Sequence, residues 1–252
     1  MPTVMRLKLV TYNIHRAIGV DRRFRPDRIA EILAHHAPDV ALLQEVDEGV
    51  PRSRELHLAR ELARTLGFPH YAVGHNVELR RGRYGNATLS RHPILRERNV
   101  DLSVDGRKRR GCQHTTLEAT SAQGVARRLE VFNLHLGLSA RERARQIGLL
   151  VRSREFAALD TQESCVVGGD FNDWRRLLHP IFTEILGFRC ATEVGQAVPR
   201  LVSTFPSFGP TGALDRIYVR GSLRVLAAAR CRLPVSRVAS DHLPVVAEIE
   251  LR

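Results

Sequence analysis

The chain has no long hydrophobic run, no closely paired cysteines and almost no lysine. No apolar stretch in its 252 residues approaches the roughly 18 needed to span a bilayer, so an integral membrane helix is excluded. The N-terminal segment MPTVMRLKLVTYNIH meets its first polar break too soon for a secretory signal. Cys112, Cys165, Cys190 and Cys231 are scattered and form no C-x-x-C pair, which argues against a zinc site and a disulfide framework. Cys165, inside SCVVGG, reads as a buried thiol. A cytoplasmic protein is expected. H-E-x-x-H, G-x-S-x-G and a Gly-rich phosphate loop are also missing, and no Ser or Cys sits in an activated setting. Covalent catalysis therefore has no support. No repeat, low-complexity tract or Pro/Gly/Ser-rich linker divides the chain, so residues 1–252 read as a single domain.

What is present is positive charge. The formal net charge is +12, and Lys8 and Lys108 are the only lysines beside the arginines. A GC-rich coding sequence explains arginine in place of lysine. It does not explain the excess of bases over acids. That excess favours a polyanionic partner: nucleic acid, an anionic membrane surface or a phosphorylated metabolite.

Periodicity gives the elements. RLKLVTYNI alternates and is β-branched, so it reads as a strand. A helix follows from Pro26, with Ile29, Ile32 and Leu33 at helical spacing. DVALLQEV reads as a buried strand, and a second helix is expected from Ser53 to Leu66, ended by Gly67. HYAVGHNV, GNATLS, QHTTLEAT and RLEVFNLHL supply further strands. The longest helix is expected from Ser139, where Ser139 and Glu142 make a capping box, to about Leu159. CVVGGD, a helical piece near Trp174, ALDRIYV, LRVLAAA and PVVAEIEL complete the pattern. Strands outnumber helices and follow one another closely. An α/β fold is expected, a four-layer α/β/β/α sandwich with two mainly antiparallel sheets.

Acids, amides and imidazoles recur where these strands end. Asn13 and His15 follow LVTY, Glu45 follows ALLQ, and Asn86 lies in YGNATLS. His135 sits in VFNLHL, Asp170 and Asn172 follow VVGG, Asp215 lies in ALDRIYV, and Asp241 and His242 open SDHLPVV. Each alone has an ordinary explanation. Glu45 suits a surface strand end, His135 a core histidine, Asp170 and Asn172 an Asx-turn, Asp215 a local salt bridge, and Asp241 a cap. Together they suggest one polar cleft, because a carboxylate ending a buried strand is costly without a partner or metal. Gly168 and Gly169 are expected to bend the backbone tightly before Asp170. Asp173 and Trp174 read as cap and packing residues, and most of the remaining histidines as solvated.

TYNIH, LQEVD, GNATLSRHPI, NLHLG, GGDFNDW, LDRIYV and SDHLPVV, in that order, resemble the endonuclease/exonuclease/phosphatase superfamily, whose fold is that of DNase I. The resemblance runs from about Leu7 to Leu251 and implies a hydrolase acting on phosphate esters through metal-assisted water attack. It implies Mg²⁺, with Mn²⁺ as substitute, held by Glu45 and Asn13, with Asp241 holding a second metal or a metal-bound water. It pairs His242 with Asp215, offers Asp170, aligned by Asn172, as the competing group for activating water, and makes His135 a donor to a phosphate oxygen. Asn86, Arg109 and Arg110 are further candidates for substrate phosphate, although GRKRRGCQH equally suits a solvated hairpin tip. A nuclease-type phosphodiesterase is the leading expectation, with nucleic acid favoured over lipid by charge. A phospholipid or sphingomyelin phosphodiesterase and an inositol polyphosphate phosphatase are the alternatives, TFPSFGP being the one segment suited to membrane contact. A non-catalytic phosphate-binding module is disfavoured, because every polar position the chemistry requires is present.

Overall fold

The computed structural model describes residues 4–121, 123–195 and 200–252. Its strands are β1 (Met5–Asn13), β2 (Val40–Glu48), β3 (His70–Glu78) and β4 (Arg83–Ser90). Next come β5 (Ile94–Asp101), β6 (Gly111–Thr120), β7 (Ala126–His135) and β8 (Cys165–Asp170). Short pieces follow at β9 (Arg189–Cys190), β10 (Glu193–Val194) and β11 (Arg200–Leu201), and then β12 (Asp215–Arg220), β13 (Leu223–Arg230) and β14 (Val245–Leu251). One six-stranded sheet runs β13-β14-β1-β2-β4-β3 and the other β5-β6-β7-β8-β12-β9. Among the described residues only the β1/β2 and β7/β8 pairs are parallel.

The two sheets face each other across a core that includes Leu9, Val40, Leu42, Val131, Val166 and Ile217. Helices α1 (Pro26–His36) and α2 (Leu58–Leu66) bury Ile29, Ile32, Leu33 and Leu62 against the outer face of the first sheet. Helices α3 (Ala140–Arg152) and α4 (Arg154–Ala157) bury Ile147, Leu150 and Phe156 against the second. This is the four-layer α/β/β/α sandwich expected from the strand pattern.

Three expectations about elements need correction. The second helix begins at Leu58 rather than Ser53, because Arg54 and Glu55 take left-handed backbone angles that end a short 3₁₀ turn. The long helix stops at Arg152. Ser153 turns to extended geometry and its hydroxyl accepts the Phe156 amide, which starts a new helix. The helical piece placed near Trp174 falls later, around Ile181–Ile185. Strand β5 was not evident in sequence. It is an edge strand whose side chains are largely charged and exposed.

Towards one end of the sandwich the hydrocarbon between the sheets gives way to buried amides. Gln44 donates to the Asn133 side chain at 2.8 Å, and Asn133 donates to the carbonyls of Leu43 and Ala87 in the opposite sheet. Asn86 donates to the carbonyls of Gly111 and Asn133. These bonds fix the spacing of the sheets where their strand ends meet. The glycines before Asp170 do not make the expected bend. Both lie within β8, where Gly168 leaves room for Leu42 of the facing sheet. Gly169 has φ 143°, and a Cβ there would stand 1.9 Å from the Leu134 carbonyl oxygen.

Asp173 is more than a cap. It is fully buried and accepts the amides of Leu177 and Leu178 at 3.0 and 2.9 Å. Arg216, also fully buried, donates to its carboxylate at 3.0 Å and to its carbonyl at 2.7 Å, and Arg143 approaches at 3.5 Å. Arg143 in turn donates to the Leu138 carbonyl, so the loops after β7 and β8 are tied together.

Two stability predictions follow from this packing. Gly169→Ala should cost about 2 kcal/mol or more, and thermal unfolding should show a midpoint lowered by roughly 5 °C or more. Asp173→Asn strands the charge of Arg216 and should cost about 3 to 5 kcal/mol, whereas exposed Arg175→Gln should move the midpoint little. An Asp173→Asn protein as stable as the parent would contradict the buried pair.

Candidate active site

The second sheet supplies one half of the site. In register, His135 of β7 stands beside Asp170 of β8, and Asp170 beside Asp215 of β12. Three polar side chains therefore form a row across three neighbouring strand ends. All three are buried. Immediately after β8, Asp170 Oδ1 accepts the Asn172 amide at 2.9 Å, which is an Asx-turn, and Asn172 takes a left-handed φ of 50°. The Asn172 side chain donates to the Leu136 carbonyl at 2.9 Å and locks the two loops. The turn and the polar cluster are thus the same feature.

The first sheet supplies the other half. Asn13 pairs with Gln44 across the parallel β1/β2 ladder, which puts Glu45 one residue beyond. Glu45 has φ 56° and sits in a bulge where the β2/β4 register shifts between Leu43 and Val46. The bulge turns its carboxylate out of the ladder. His15, Arg16 and Ala17 also have positive φ, so strained backbone lies on both sides of Asn13 and Glu45. Asn13 Oδ1 accepts the His15 amide at 3.0 Å, and its carbonyl accepts the Ser240 hydroxyl at 2.7 Å. That bond brings in Asp241 and His242.

Hydrogen bonds at Asp170 and at Asp215 join the halves. Asn13 Nδ2 donates to Asp170 Oδ2 at 3.1 Å. Around the same oxygen stand His135 Nε2 at 3.4 Å and His242 Nε2 at 3.7 Å. His242 Nδ1 meets Asp215 Oδ2 at 2.8 Å, and Thr204 donates to that oxygen at 2.5 Å. The ring of Phe205 lies 4.9 Å from that of His242.

Burial and charge set the protonation of this cluster. Burial pushes the Asp170 carboxyl up to about 6; His242 pulls it down, Asp215 pushes it up, and the Asn13 and Asn172 hydrogen bonds pull it down again. Burial alone would lower His242, but Asp215 and Asp170 outweigh it and raise the imidazole to about 10. His242 is therefore an imidazolium held between two carboxylates. Burial, with Arg110, His242, Lys108 and Arg16 nearby, pushes His135 well below its usual value, so His135 stays neutral beside Asp170.

Two groups of residues could receive a cation. Asp170, Asp215 and His242 each offer a ligand atom within 4.8 Å of the others, but His242 Nδ1 is already engaged by Asp215. Asn13, Glu45 and Asp241 offer oxygen donors only: Asn13 ends β1, Glu45 lies one residue beyond its partner Gln44, and Asp241 follows Ser240, which bonds the Asn13 carbonyl. Arg16 Nε lies 3.1 Å from Glu45 Oε2 without hydrogen-bond alignment, and Asp241 Oδ1 accepts from Ser240 at 3.3 Å.

The structure brings Asn13, Glu45, His135, Asp170, Asn172, Asp215, Asp241 and His242 to the meeting strand ends. The three further candidates for substrate phosphate lie as follows. Arg109 is exposed and pairs with Asp101 at 3.6 Å at the hairpin tip. Arg110 is buried, and its charge bears on His135. Asn86 spends both its donors on backbone carbonyls between the sheets, which removes them from any phosphate. His114, expected among the solvated histidines, is buried against Phe132 and bonded to Glu130 at 2.6 Å. Sequence reasoning missed Arg16, Lys108 and Thr204. The only signal for Arg16 and Lys108 was their closeness in sequence to His15 and Arg110.

Comparison with known proteins agrees with this geometry. Residues 10–242 match the model of the Endonuclease/Exonuclease/phosphatase family. The chain is 33% identical over 255 residues to Escherichia coli K12 YbhP, an uncharacterized protein, covering 97% of this chain and 96% of that one. A solved endonuclease/exonuclease/phosphatase family protein from Bacteroides thetaiotaomicron superposes with a TM-score of 0.76 at 20% identity, covering 99% of each chain. A Bacteroides thetaiotaomicron mannosyl-6-phosphatase superposes with a TM-score of 0.70 at 19% identity, covering 96% of this chain and 99% of the other. With the fold, the order of the strand-end residues and the family match in agreement, the chain belongs to the endonuclease/exonuclease/phosphatase family.

Proposed function

We propose that this chain, acting as one domain over residues 1–252, is a Mg²⁺-dependent phosphodiesterase of the cytoplasm. One observation carries the reading. The oxygen-rich strand ends of one sheet meet the His135–Asp170–Asp215 row of the other through the Asn13–Asp170 and His242–Asp215 hydrogen bonds.

The donor set fits the cation. Glu45, Asp241 and Asn13 offer hard oxygens, and both carboxylates retain lone pairs that no aligned hydrogen bond uses among the described residues. Mn²⁺ would satisfy the same ligands. Bound there, the ion would draw charge from the scissile phosphoryl group and its departing oxygen.

The chain's own residues do the rest. Asp170, a buried carboxylate at a strand end, accepts the proton of the attacking water. Asn172 fixes that carboxylate through its backbone amide. His242, oriented by Asp215, presents Nε2–H to the phosphate. Neutral His135 donates to a phosphate oxygen as charge develops. Arg16, Lys108 and Arg110 supply positive charge around the substrate.

The excess of arginine supports nucleic acid as substrate. A membrane phospholipid is the second reading, favoured by exposed apolar side chains beside the site. The test is a substrate panel with and without Mg²⁺: plasmid DNA, abasic duplex, RNA, sphingomyelin, phosphatidyl lipids, inositol phosphates and a sugar phosphate. At least one substrate should turn over only with metal. Asp170→Ala and His242→Ala should each lower kcat/KM by about a hundredfold or more. Activity that survives both substitutions, or that needs no metal, refutes the mechanism.

A further inference from the structure

Large apolar side chains stand in solvent around this site. Leu138 is 73% exposed, Phe208 71%, Trp174 52% and Leu177 51%. Scattered exposed apolar residues are ordinary; these four lie on three loops that are joined to one another beside the site.

The loops are demonstrably neighbours. Leu138 follows His135 at the end of β7, and Trp174 and Leu177 follow Asp170 at the end of the adjacent β8. Arg143 bridges them, bonding the Leu138 carbonyl and approaching Asp173, which accepts the Leu177 amide. The third loop joins through Phe205, whose ring meets Trp174 at 5.4 Å and His242 at 4.9 Å, and through the Ser207 amide, bonded to the Asp241 carbonyl at 2.8 Å. Phe208 is the next residue. Each loop is held by buried hydrogen bonds, so the apolar groups are presented rather than frayed.

Arginines alternate with them. Arg141 lies in the first turn of α3, three residues after Leu138, Arg175 and Arg176 separate Trp174 from Leu177, and the Arg237 carbonyl accepts the Ser207 hydroxyl next to Phe208. All four are exposed, and none forms an ion pair among the described residues.

We propose that this rim docks the protein on an anionic lipid bilayer, with the catalytic end facing the surface. Protruding leucine, tryptophan and phenylalanine flanked by arginine match an interface that is apolar inside and negative at its headgroups. A nucleic-acid strand fits less well, because Leu138 and Leu177 have no π face on which a base can stack. In sequence only TFPSFGP suggested membrane contact. Half of that suggestion stands, since Phe205 packs inward and Phe208 outward. The inference rests on the second reading of the phosphodiesterase, with a phospholipid as substrate, but its binding does not depend on that reading.

The test is cosedimentation of the full chain with phosphatidylcholine vesicles, with and without roughly one-third phosphatidylglycerol. The protein should pellet with the anionic vesicles and less so as salt rises. Leu138→Ser/Leu177→Ser should lower the partition coefficient about tenfold with an unchanged melting temperature. Phe208→Ser, on a separate loop, should weaken binding independently. Failure of the parent to bind anionic vesicles overturns the proposal, as does equal binding by the double variant. Loss of oligonucleotide binding in that variant, without loss of vesicle binding, also overturns it and assigns the rim to nucleic acid. Hydrolysis of bis-p-nitrophenyl phosphate by the parent protein separates the two readings. No turnover counts against the phosphodiesterase alone, because docking is read without catalysis.

Discussion

The buried carboxylate of Asp170 is the point on which the site is built. It ends a strand in the middle of the second sheet, yet one of its oxygens is held by Asn13 of the first. A carboxylate so placed is expensive unless its surroundings answer its charge. Here the answer is local and complete: an Asx-turn on one oxygen, and an amide, an imidazolium and a neutral imidazole around the other. A second buried acid, Asp215, keeps that imidazolium charged. Shifting the sheets against each other would break the set, and the Gln44–Asn133 and Asn86 amides resist such a shift.

Strain is concentrated on the opposite side. Glu45, His15, Arg16 and Ala17 all hold left-handed angles without being glycine. Such conformations persist only where the surroundings enforce them. Here they aim Glu45 away from its ladder and crowd Arg16 against it. The second sheet meets its requirement differently, with glycine. Gly168 admits Leu42 and Gly169 admits the Leu134 carbonyl, and the ladder sets Asp170 beside His135 and Asp215.

Much of this was legible in sequence because strands bury one face and end abruptly. LVTYN, ALLQE and VVGGD each pass from hydrocarbon to oxygen in one step, and each step became a corner of the site. What was not legible has specific causes. The exposed, charged ILRERNVD concealed an edge strand, because no buried face imposed alternation. Ser153 gave no warning that its hydroxyl would divide a helix. Asp173 read as a cap, since nothing near it in sequence reveals that Arg216 is its buried partner. Arg109 and Arg110 were indistinguishable as letters. One faces solvent and the other bears on His135, which only the hairpin's pairing decides.

Two sets of donors, Glu45 with Asp241 and Asn13, and Asp170 with Asp215 and His242, are the alternatives for a cation. The most direct measurement is Mn²⁺ binding, by electron paramagnetic resonance or calorimetry, to the parent protein, Glu45→Gln and Asp215→Asn. The account predicts that Glu45→Gln loses the ion while Asp215→Asn keeps it. Binding lost with Asp215→Asn and kept with Glu45→Gln would place the metal among Asp170, Asp215 and His242, and contradict the division of labour between the two sheets.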